Sequence, residues 1–186
     1  TDYYILNNNY PFPDLNLNFS NKIIIISSLI FFYFLPFFEL KELKYKIKNY
    51  NFKYKTILIL FFAVINIVFF DFLRGTGGGI FFHLSNVLLD SSTIIFIIFI
   101  LFLFLFNILS YINPNNILLF FVLIIYNMQY TIYHKYFDPL LLFVFLFLFN
   151  FDKKKDTTKL LNISIKSFIL YFSFLLMSFG KNFINY

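Results

Sequence analysis

Cysteine and tryptophan are absent from this chain, Ala63 is its only alanine and Arg74 its only arginine. Without cysteine there is neither a disulfide framework nor thiol chemistry, and the redox compartment stays open. Charge is scarce too: 13% of the 186 residues are Asp, Glu, Lys or Arg, against about 25% in a soluble domain. What fills the space is apolar, 60% of the chain, with 33 Phe and 14 Tyr. A surface with so few charges cannot face water, so the composition predicts an all-α polytopic membrane protein, a transmembrane helix bundle. Many Phe and almost no Ala or Arg match codons rich in A and T. The bias therefore points to an AT-rich bacterial or organellar genome, and function is not read from the Phe count.

The chain starts at Thr1 without an initiator Met, and its first 22 residues, with Asn7-Asn8-Asn9, Pro11 and Pro13, read as the interior of a loop. The expectation is a C-terminal fragment or processed chain whose earlier helices are missing. A membrane helix needs about 20 apolar residues, with a range of about 17–25. About six stretches qualify or come near: 23–40, 56–73, 93–109, 117–128, 139–151 and 160–179. Between the second and third, GTGGG at 75–79 is a flexible break that no helix would hold. Ile80 to Leu89, too short to cross and carrying His83, Ser85 and Asn86, suits an interfacial or re-entrant helix. Asp90, Ser91 and Ser92 offer an N-cap for the third span. No internal repeat and no extramembrane domain is visible, so the chain is read as one membrane domain.

Orientation follows from lysine. Of the 15 Lys and Arg, Lys41, Lys44, Lys46, Lys48, Lys53 and Lys55 lie in one connector, and Lys153, Lys154, Lys155 and Lys159 in another. Four spans separate the two connectors, an even number, so both fall on the same side, and the positive-inside rule makes that side cytoplasmic. The net charge of +6 is then a topology signal; nucleic acid is not expected as a partner, because the lysines flank spans and Arg is nearly absent. The lipid bilayer is the expected partner.

Asp71, Arg74, His83, Asp90, His134, Lys135 and Asp138 fall on the opposite, outer face. Asp71 and Arg74 are three apart: on a continued helix they would form a local ion pair, while the alternative is that Arg74 clamps a phosphate or carboxylate. GTGGG could form a nest of N–H groups for an anion, although it lacks the Lys-Ser/Thr of a P-loop, and a plain connection is the simpler reading. His83 reads as an interfacial histidine. No metal site or cofactor is expected, since two histidines and scattered aspartates show no ligand spacing. The sharpest feature is Gln129 to Phe149, QYTIYHKYFDPLLLFVFLFLF, in which His134 and Lys135 stand among Tyr130, Tyr133 and Tyr136 ahead of Asp138-Pro139 and an apolar run. Pro139 suits a first helical turn. An aromatic belt accounts for the tyrosines, and a solvated loop is the bland reading of the whole. A phosphate on a lipid-linked substrate would account for the cations, with Lys135 as point charge and His134 as donor or acid.

The run His134, Lys135, Tyr136 and Pro139 followed by apolar residues resembles the late-helix element H-x-R-Y-x-x-P of GT-C polytopic glycosyltransferases, the superfamily of protein mannosyltransferases and aminoarabinose transferases. The spacing departs from that element, because His134 is adjacent to Lys135 rather than one residue removed. The resemblance covers about ten residues. It implies sugar transfer from a polyprenyl-phosphate donor at the outer face, with Lys135, His134, Tyr136, Arg74 and Asp71 around the lipid-linked donor. The family's catalytic carboxylate lies in the first outer loop, which this chain does not contain, so no catalytic residue is assigned. The expected location is a bacterial inner membrane. The rival classes are a transporter or flippase, or an organelle-encoded structural subunit of a respiratory complex. Ion or proton passage would call for ionisable residues at mid-membrane depth, and the spans hold Asn66 and Asn107 but no central Asp or Glu.

Overall fold

The computed structural model describes residues 19–37, 45, 47–48, 53–72, 77–110, 114–126, 132, 140–141, 144, 148, 162–163, 165–174 and 176. These are all-helical. The main helices are α1 (Phe19–Phe34, extended by a 3-10 turn at Leu35–Phe37), α2 (Lys53–Val68), α3 (Gly79–Leu89), α4 (Thr93–Ser110) and α5 (Pro114–Tyr126). Helical backbone recurs at 165–174.

Hydrophobicity on every side of a helix predicts burial on every side, and α1 obeys this: from Asn21 to Phe34 only Ile23 is less than fully buried. It is the axis of the bundle, touching α2, α3, α4 and α5. Its far end meets the C-terminal helical stretch, with Tyr33 at 5.5 Å from Tyr171 and Phe32 at 5.6 Å from Phe174 between ring centroids. The remaining core is a mosaic of edge-on and offset phenyl rings, a geometry their quadrupoles favour. Phe82 sits 5.2 Å from Phe72, Phe70 5.3 Å from Phe96, and Phe106 5.1 Å from Phe120.

The outward faces are also apolar. On α2, Ile59, Ala63 and Asn66 face inward, while the opposite stripe of Ile57, Phe61, Val64 and Val68 is exposed. In water such a stripe would be polar. The same holds for Phe121, Val122 and Ile125 on α5 and for Phe168, Ile169 and Phe172. Three polar side chains inside the helices bond back to their own backbone: Ser28 Oγ donates to the Ile25 carbonyl at 2.7 Å, Asn66 Nδ2 to Phe62 at 2.8 Å and Asn86 Nδ2 to Phe82 at 3.0 Å, while the buried Ser27 and Thr56 hydroxyls make no hydrogen bond among the described residues. A buried donor left unmade costs about 1–3 kcal/mol.

Three expectations about element bounds need correction, and among the described residues no helix is both long and apolar enough to cross a membrane. The longest, α4, has 18 residues and rises about 27 Å, short of a hydrocarbon core of about 30 Å. The first span begins at Phe19, not at 23, and the second begins at Lys53 and closes at Val68, since lysine is a good helix former that a hydropathy window overlooks. Tyr45, Ile47 and Lys48, within the lysine-rich connector, are helical and exposed. Finally, Asp90 caps the C-terminus of α3: its φ of 47° is left-handed and its N–H donates to Asn86 O at 3.1 Å, while Ser92, whose carbonyl accepts the Phe96 N–H at 3.2 Å, stands at the N-cap of α4. An aspartate tolerates that conformation. The expected stretches at 93–109 and 117–128 correspond to α4 and α5, although α5 begins at Pro114, where a residue without N–H costs nothing. The 139–151 stretch lies mostly outside the described residues.

Candidate functional site

Helix α2 ends in a tightened turn, with Phe69 N–H on Ile65 O and Phe70 N–H on Ile67 O, both at 3.2 Å. The next peptide groups need partners from elsewhere. Asn21, 4% exposed in the first turns of α1, supplies them. Its Nδ2 donates to Asp71 O at 2.5 Å and its Oδ1 accepts the Asp71 N–H at 2.9 Å. One side-chain amide thus acts as a peptide group toward a residue 50 positions away, and the Asp71 carboxylate is left exposed. The helix has already closed when the chain reaches Asp71, so the continuous helical face that would pair Asp71 with Arg74 does not form. Arg74 itself lies outside the described residues.

Past it, Gly77, Gly78 and Gly79 have φ of 105°, 107° and 76°, values that L side chains rarely adopt. All three are buried. A Cβ on Gly78 would lie 2.3 Å from Phe82 Cδ1, and one on Gly79 would lie 2.6 Å from Leu29 Cδ2. The Gly78 N–H donates to Ile132 O at 2.8 Å, and Gly77 pairs with Ile132 in an isolated parallel bridge. At Gly77–Gly79, then, the flexible connection expected from the sequence is instead packed and hydrogen-bonded, and the Gly78 amide, a candidate for an anion nest, is taken by protein.

Ile132 is fully buried and belongs to the 129–138 run. His134, Lys135 and Tyr136, like Asp138, lie outside the described residues. What the structure joins is the backbone on either side: the 77–79 turn that follows Arg74, and the residue two positions before His134. His83, on α3, is exposed, its ring 6.0 Å from that of Phe82. Ser85, fully buried, donates from Oγ to Ser91 O at 2.6 Å and accepts the Ile94 N–H at 3.0 Å. It thereby supplies a side-chain acceptor to the first turn of α4 from the preceding helix, while Ser92, one of the residues the sequence offered, holds the N-cap position with its carbonyl on Phe96 N–H.

Three residues escaped the sequence reading. Asn21 and Ile132 gave no motif, since their contribution is a partner far along the chain. Lys22, ahead of the first expected span, is 7% exposed. The Asn-Lys pair just before an apolar run was the one visible signal for it. Among the described residues no group of three His, Cys, Asp or Glu is placed to hold a metal ion. Comparison with known protein families, curated proteins and solved structures finds no match for this chain.

Proposed function

We propose that the chain is a bundle of about six membrane-spanning helices in a bacterial inner membrane, and part of a glycosyltransferase-like enzyme that takes sugar from a polyprenyl-phosphate donor at the outer face. The membrane part of this reading draws support from the apolar outward stripes of α2 and α5 and from three polar side chains that satisfy themselves within their own helices. The site part rests on one observation, the hydrogen bond from Gly78 N–H to Ile132 O at 2.8 Å. That bond ties together two loops which, in sequence, carry Arg74 on one side and His134, Lys135 and Tyr136 on the other. Two such cations near one phosphate would offset the charge that gathers on the leaving polyprenyl phosphate as the sugar C1–O bond breaks and the acceptor oxygen bonds to C1. The acceptor proton passes to a carboxylate that no residue here is assigned to supply.

In the full-length enzyme, Lys135→Ala should lower sugar transfer from a polyprenyl-phosphate donor by about 10- to 100-fold, the worth of one hydrogen bond to a charged group, with membrane insertion unchanged. Undiminished transfer would remove the site. A transporter reading has one feature in its favour, a short helix preceded by glycines and backed by irregular chain, as in broken-helix transporters. Solute flux in vesicles that survives loss of transferase activity would favour it.

A further inference from the structure

We propose that residues 71–93 enter and leave the bundle by the same end, so that α3 is a re-entrant helix whose first turn stands about two-thirds of the way along α1; this rests on the membrane reading above. The inward leg is fixed at both ends. Asp71 is clamped by Asn21, near the start of α1, whereas a Cβ on Gly79 would meet Leu29. Eight residues of helix separate Asn21 from Leu29, a rise of about 12 Å. One turn further in, the Phe81 ring lies 6.0 Å from Phe31 and 6.3 Å from Phe32. The return leg is α3 itself, whose 11 residues rise about 16 Å. It delivers the chain to the first end again, because Phe96 in the opening turns of α4 packs 5.3 Å from Phe70, the neighbour of Asp71.

A helix lying in the interface would meet α1 along its first turn, near Phe19, and would not reach Phe31 and Phe32. Non-helical backbone at membrane depth survives only where protein satisfies it. Gly78 N–H meets that demand through Ile132 O at 2.8 Å, the acceptor belonging to a buried residue far along the chain. Charge agrees independently. With α3 re-entrant, the number of crossings between the Lys41–Lys55 and Lys153–Lys159 connectors stays even and both connectors share a face; a crossing α3 would put them on opposite faces, against the positive-inside rule.

The chain has no cysteine, so introduced thiols report on themselves alone. In membranes holding the full chain, a short bis-maleimide should link Phe32→Cys to Phe81→Cys and fail to link Phe19→Cys to Phe81→Cys. In sealed vesicles an impermeant maleimide should reach single variants Asp71→Cys and Asp90→Cys from one side and Lys48→Cys from the other. The proposal is overturned if positions 71 and 90 label from opposite sides, or if the 19/81 pair links in place of 32/81. Should Lys48→Cys label from the same side as Asp71→Cys, or the chain wash off in carbonate, the membrane reading beneath it fails instead. The single-thiol labelling stands even where the paired variant misfolds.

Discussion

Replacing Gly78 by alanine tests the turn on which the two loops meet. At φ of 107° a β-carbon brings backbone strain of about 1–3 kcal/mol. It would also sit 2.3 Å from Phe82 Cδ1, 2.7 Å from Cγ and 3.0 Å from Cβ. The ring can swing away but its Cβ cannot, so the neighbours must shift, adding about 1–3 kcal/mol of overpacking. The expected loss is therefore about 2–6 kcal/mol, a large share of a total stability of roughly 5–15 kcal/mol. Helicity by circular dichroism during SDS titration of the chain in mild detergent reads this loss. Phe82→Ala in the same background separates the two terms, since it removes Cγ and Cδ1, the two closest atoms, and leaves the strain. The double mutant should recover about 1–2 kcal/mol relative to additivity. A Gly78→Ala loss below about 1 kcal/mol, with no coupling to position 82, would refute the turn geometry and with it the Gly78–Ile132 contact.

Two further outcomes follow from the α1 end of the bundle. Asn21→Ala removes both hydrogen bonds to Asp71 and should cost about 1–3 kcal/mol, with faster amide exchange at Asp71; Asn21→Asp should rescue little, because a carboxylate keeps the acceptor but sets a negative charge against the Asp71 carbonyl.

Helices were legible where an apolar run has polar punctuation at both ends. Thr93–Ser110 and Gly79–Leu89 stand within a residue of where Asp90-Ser91-Ser92 and the glycine run put them. Boundaries were lost where polar residues join a helix for tertiary reasons: Asn21 and Lys22 extend α1 because Asn21 is spoken for by Asp71, a partner invisible to any local window. The N-cap position at Ser92 was legible, but the side chain that bonds the first turn was not, since Ser85 reaches Ile94 from nine residues back. As for the site, the sequence singled out both the glycine stretch and the 129–138 run but treated them as separate. Their meeting at Gly78 and Ile132 is a single backbone contact between non-neighbours, and no spacing rule encodes it.

The position of α1 at the axis bears on how the protein comes to be assembled. Its neighbours are translated over the next 140 or so residues, up to Tyr171 and Phe174, and the cost of closing loops of that length is met before the contacts form. Phe32 and Tyr33 thus wait through most of synthesis without their final companions. Truncation ahead of residue 165 should leave those two rings accessible to chaperones or stray helices, which makes the last helical stretch the latch of the whole bundle.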